Sequence, residues 1–73
     1  MLIVDDEVKL TRSLSLGLQA EGFSVDVAND GTDGLWMAKE HKYDAIVLDL
    51  MLPGINGFKI CETLRKAGDL TPI

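Results

Sequence analysis

The sequence has a single cysteine, two prolines and only short apolar runs, and each shortage removes a class of protein. Cys61 alone excludes an internal disulfide and a multi-cysteine zinc site, and it suits a reducing compartment. No run approaches the roughly 20 apolar residues that span a bilayer. No basic segment followed by an apolar stretch opens the chain, so no targeting peptide is read and the cytoplasm is the expected location. Basic residues are also few: seven, scattered as Lys9, Arg12, Lys39, Lys42, Lys59, Arg65 and Lys66 against twelve acids, for a net charge of −5. Without a basic patch, neither direct nucleic-acid binding nor an anionic membrane surface is expected.

What is present suits one small folded domain. Hydrophobic residues make up 47% and charged residues 26% of the 73 positions, with no low-complexity tract, which is a globular balance. Leu2, Ile3 and Val4 read as a strand buried on both faces, ending at Asp5. Leu10, Leu14 and Leu18 recur every four residues as the core stripe of a helix over residues 7 to 20, which Gly22 closes. Phe23, Val25 and Val27 alternate with polar residues as an edge strand, and Asn29-Asp30-Gly31 turns the chain. A helix over residues 32 to 41 carries Leu35 and Ala38 inward, with Trp36 as packing or surface cover. Residues 45 to 48 form a second two-sided apolar run that again stops at an aspartate, Asp49. The loop "LMLPGING" follows, then a helix over residues 58 to 67 with Phe58, Cys61 and Leu64 on one face, ended by Gly68. "LTPI" leads toward another strand.

Alternating strands and helices imply parallel strands, right-handed crossovers and helices on both faces of a sheet. Ligands in such sheets gather at the carboxyl ends of the strands, where Asp5, Asp6 and Asp49 all fall. If the first and third strands are neighbours, three carboxylates share one crevice. Like charges that close repel, and a hard divalent cation such as Mg²⁺ relieves them with oxygen ligands. A carboxylate beside such a metal can attack phosphorus, and Asp49, framed by a buried strand and a Pro-Gly loop, is the best candidate nucleophile. Taken alone, Asp5 and Asp6 also fit helix capping and Asp49 a surface acid at a strand end. His41 reads as solvated, and Cys61 as core.

These residues resemble the receiver domain of two-component response regulators, through "LIVDDE", the leucines with Gly22, "VANDGTDGL", "YDAIVLDLMLPGINGF" and "LR". The resemblance implies a flavodoxin-like doubly wound α/β fold, of which this chain is the N-terminal (βα)3 portion of a (βα)5 domain. It implies Asp49 as phosphoacceptor, with Mg²⁺ held by Asp5, Asp6, Asp49 and the backbone carbonyl of Met51. Pro53 and Gly57 would position the loop. A sensor histidine kinase would be the partner. The "LDLMLPG" wording looks most like the class with a C-terminal winged-helix output domain, through which alone DNA would be bound.

The same resemblance implies groups that the chain does not supply: a Ser or Thr after a fourth strand and a Lys after a fifth. Thr71 precedes the expected fourth strand, and none of the five lysines ends a strand. In the family order 2-1-3-4-5, the third strand is then an exposed apolar edge, and self-association is expected. Three rivals remain. A dehalogenase-like phosphohydrolase wants a second Asp where Met51 stands. A flavodoxin-like cofactor binder wants a phosphate-cradling loop where "VDDEVKL" is acidic. A self-associating structural module needs no phosphotransfer.

Overall fold

The computed structural model describes residues 1 to 73, and its elements follow the expected alternation: β1 (Leu2–Val4), α1 (Val8–Ala20), β2 (Asp26–Ala28), α2 (Gly31–Glu40), β3 (Ile46–Leu48) and α3 (Gly57–Lys66). The three strands form one parallel sheet in the order β2-β1-β3. The register places Leu2, Ile3 and Val4 opposite Asp26, Val27 and Ala28 on one side and opposite Ile46, Val47 and Leu48 on the other. A central strand needs an apolar side chain on both faces, and all three residues of β1 are buried.

Side chains alternate across the sheet, so the two faces have different partners. Leu2, Val4, Ala28 and Ile46 join Ala38 of α2 and Ile60 and Leu64 of α3 in one apolar core. Gly34 of α2 lets that helix approach closely, since a Cβ there would lie 2.6 Å from Val4 Cγ1. Two glycines in the first turn of α2, unfavourable by propensity, are thus explained by packing. On the opposite face, which carries Ile3, Val27 and Val47, α1 packs over β1 and β2 and leaves Val47 exposed.

Several expectations need correction. The stripe Leu10, Leu14, Leu18 is not the buried line of α1: Thr11 is buried and Ser15 and Leu18 half-buried, whereas Leu10 is 40% and Leu14 39% exposed. The helix is turned so that its inner line faces β1 and β2, which leaves Leu10 and Leu14 in solvent. Nor does Phe58 belong to the buried side of α3; it is 64% exposed, and Gly57, Ile60 and Leu64 face inward, with Cys61 half-buried. The strand read from Phe23 begins only at Asp26, because β1 begins opposite that residue and 23 to 25 lie beyond the ladder. His41 and Trp36 are exposed, as read.

Gly22 and Gly68 adopt positive φ (95° and 80°) and close α1 and α3 where the sequence places their ends. Pro72 O accepts from Ile46 N at 2.8 Å, so the segment after α3 already runs beside β3. No helix is long and apolar enough to cross a membrane.

Candidate functional site

The carboxyl ends of β1 and β3 lie side by side because the two strands are adjacent and in register. Asp5 N donates to Ala28 O at 3.1 Å and Asp49 N to Val4 O at 2.9 Å, which continues each ladder to the aspartate at its end. The result is a cluster of Asp5, Asp6 and Asp49 in which one carboxylate oxygen from each lies within 4.8 Å of the others. Asp6 is exposed, and Asp5 and Asp49 are half-buried. Two unit charges 4 Å apart repel by about 1 kcal/mol in water and about 4 kcal/mol at the effective dielectric of a protein surface. No protein cation offsets this, since both salt bridges of the chain, Lys59–Glu62 and Lys66–Glu62, lie on α3. The donor set is entirely hard oxygen, which fits a divalent cation of the Mg²⁺ type rather than zinc.

The capping reading of the acid pair does not hold. Glu7 occupies the N-cap of α1 without a side-chain hydrogen bond, and neither Asp5 nor Asp6 caps the helix. Asp5 Oδ1 instead accepts from Glu7 N at 2.9 Å, bending its own loop back toward the crevice. A matching bond is made on the other side, where Asp49 Oδ1 accepts from Met51 N at 3.0 Å and Oδ2 is left without a protein partner. Met51 is otherwise 81% exposed. The sequence-predicted residues Asp5, Asp6, Asp49 and Met51 are therefore together at one end of the sheet.

Pro53 and Gly57 act on the same loop from behind. Gly57 N donates to Leu50 O at 3.1 Å, and a Cβ at 57 would run into the Asp49 carbonyl oxygen and come within 2.7 Å of Leu50 Cα. Only glycine lets α3 start this close to the strand end. Pro53 O accepts from Gly31 N at 3.1 Å, which ties the loop to the start of α2. A shallow cleft of about 440 Å³ beside the acids is lined by Asp6, Leu50, Met51, Pro53, Asn56 and Phe58. The largest cavity, about 750 Å³, is elsewhere, at the amino end of β3, where Glu40, Asp44 and Asp69 outnumber Lys39 and Lys42.

Two residues of the surroundings escape a reading of the sequence. Asn29, legible only as part of an Asn-Asp-Gly turn, donates from Nδ2 to Asp5 O at 2.9 Å and to Thr11 Oγ1 at 3.1 Å. Thr11, which carries no apolar signal, is the buried polar residue that receives it. Nothing in periodicity reveals contacts between residues 24 and 18 positions apart.

Comparison with known proteins agrees with this geometry. The family model "Response regulator receiver domain" matches residues 1 to 73. Response regulator ArlR of Staphylococcus aureus is 52% identical over the whole chain, which spans 33% of that protein's length. The receiver domain of Francisella response regulator 1452 superposes with a TM-score of 0.93 at 32% identity, covering 97% of this chain and 59% of that one. TrrA of Thermotoga maritima, solved in complex with Mg(2+)-BeF, superposes with a TM-score of 0.84 at 36% identity, covering 90% and 57%. The three-stranded parallel sheet is thus the flavodoxin-like (βα)3 portion that these domains share. The chain belongs to the response regulator receiver domain family.

Proposed function

We propose that Asp49 accepts a phosphoryl group from a sensor histidine kinase, with Mg²⁺ held by the carboxylates of Asp5, Asp6 and Asp49 and by the Met51 carbonyl. The observation that carries this reading is the convergence of three carboxylates from two strand ends within 4.8 Å, with no protein cation among them. The bound metal supplies positive charge against the carboxylates and the incoming phosphoryl oxygens. Met51 N holds Asp49 Oδ1, leaving Oδ2 free to attack phosphorus. The new O–P bond forms as the P–N bond of the donor phosphohistidine breaks, and the electron pair leaves with the imidazole nitrogen. Asp49 is consumed as an acceptor and not turned over, so the chain is a signalling module and not an enzyme in the usual sense.

In the longer protein this event would control an attached output, of the winged-helix, DNA-binding kind, from a cytoplasmic location. The chain matches a third of ArlR, and the remaining length would carry that output. A second reading, a structural module that only self-associates, is favoured by the open side of β3 and by the exposed Val47.

Incubation with a small phosphodonor and Mg²⁺, followed by mass spectrometry, tests the proposal. An acid-labile phosphoryl adduct on Asp49 that disappears in Asp49→Asn is expected. An adduct that persists in Asp49→Asn, or none on a chain that binds Mg²⁺, would overturn it and favour the structural module.

A further inference from the structure

The turn between β2 and α2 touches both halves of the acidic crevice. On one side Asn29 Nδ2 donates to the Asp5 carbonyl at 2.9 Å, and its second proton goes to Thr11 Oγ1 at 3.1 Å. The amide orientation is fixed by its partners, because a carbonyl oxygen only accepts. Thr11, itself buried, donates in turn from Oγ1 to Val8 O at 3.0 Å, so the chain of bonds ends on the first turn of α1. On the other side, two residues on, Gly31 N donates to Pro53 O at 3.1 Å. Gly31 also packs so closely on the Ile55 carbonyl that a side chain there would collide with it. One three-residue turn therefore grips the loop that carries Asp5 and Asp6 and the loop that follows Asp49. Asp30, between them, is occupied as the N-cap of α2, accepting from Asp33 N at 2.8 Å, which fixes the turn to a helix.

We propose that Asn29 and Gly31 are positioning residues that brace the two acidic loops against each other, Asn29 setting the Asp5–Asp6 loop and Gly31 the loop after Asp49. The brace rests on the metal-site reading only for its effect on the cation; its mechanical part stands on the hydrogen bonds alone. Three like charges drive the loops apart, and a cross-tie from a neighbouring element opposes that opening. Partners behind metal ligands typically account for about 10-fold or more in metal affinity.

Asn29→Ala is the discriminating variant, because Asn29 is exposed and its truncation leaves no hole in the core. Two measurements are made on the chain and the variant. Amide hydrogen exchange without metal reads the Glu7 N–H, whose acceptor is Asp5 Oδ1. It is expected to exchange several-fold faster in Asn29→Ala, with the Ile60 amide inside α3 unchanged. Titration with Mg²⁺ is expected to show about a 10-fold weaker dissociation constant. Arg65→Ala, which removes hydrogen bonds to Asp69 O and Thr71 O at the far end of the molecule, controls for general loss of stability; it should lower the melting temperature and leave both readouts alone. Thr11→Val should reproduce part of the Asn29→Ala effect, and the double variant should fall short of the sum. Unchanged Glu7 exchange in Asn29→Ala overturns the brace, whatever the metal does. Failure of the unsubstituted chain to bind Mg²⁺ overturns the metal reading instead, so the two are separable.

Discussion

At the scale of single residues, the largest consequence comes from an atom that is missing by design of the sequence. Gly57 has no Cβ, and the Asp49 carbonyl and Leu50 Cα occupy the space one would need. Gly57→Ala must push α3 away from the strand end or tilt the Asp49 backbone. Overpacking of this kind costs about 1 to 3 kcal/mol, read as a lower urea midpoint, and Mg²⁺ affinity should fall with it. Tyr43 provides a second, independent test. Its hydroxyl donates to Asp26 Oδ2 at 2.7 Å, and burial, with this bond and the carboxylate charge, pushes the phenol up to about 12. An unfolded tyrosine ionises near about 10. The folded chain therefore holds the proton more tightly, so this contribution is complete below about pH 10 and is lost as pH rises toward about 12. Tyr43 is the chain's one tyrosine, so phenolate absorbance reports it alone. Asp26→Asn should lower the midpoint, while burial keeps it above the free value; a midpoint at the free value in the folded parent chain would contradict the hydrogen bond.

At the scale of elements, the three helices begin in different ways. Asp30 caps α2, and Asn56 caps α3 by accepting from Lys59 N at 2.9 Å, but the N-cap of α1 is Glu7 with no side-chain bond. Asp30→Ala and Asn56→Ala should each lower unfolding free energy by about 1 kcal/mol, and Glu7→Ser should raise it by up to about 1 kcal/mol. Urea unfolding of the three variants checks the order; a destabilised Glu7→Ser would mean that the Glu7 side chain has work that the hydrogen bonds do not show. This unevenness also shows what the sequence could disclose. Strand and helix order and the Gly22 and Gly68 stops were legible from local patterning, whereas the convergence of Asp5, Asp6 and Asp49 also needed β1 and β3 to be neighbours, which the family strand order implied and patterning alone did not. The orientation of α1 was not, since a leucine stripe marks an apolar line without stating what covers it. Thr11 and Asn29 were illegible for the complementary reason: a buried polar pair is defined by its partner, and the partner lies in another element.

At the scale of the whole molecule, the chain folds into one compact unit. The surface of 4741 Å² is close to the about 4,500 Å² expected for a folded chain of 8.0 kDa, and the radius of gyration of 11.4 Å is that of a compact domain. Association must then arise from a particular surface. By alternation along β3, Ile46 and Leu48 turn their backbone groups away from β1; Pro72 takes Ile46 N–H, which leaves the Ile46 carbonyl and both groups of Leu48 open. Val47 is 47% exposed on the sheet face that α1 covers only over β1 and β2, and Leu10 and Leu14 of α1 are exposed as well. Open backbone groups beside an apolar face favour pairing with a second copy, but an edge only three residues long limits its strength. The expected behaviour is a weak, concentration-dependent dimer in sedimentation velocity. Val47→Lys places a charge on the contact face at a site already half in water, so it should give monomers at every concentration while leaving the melting temperature within a few degrees of the parent. A parent chain that stays monomeric across the same range would remove self-association from the account, and a dimer that survives Val47→Lys would move the contact to another face.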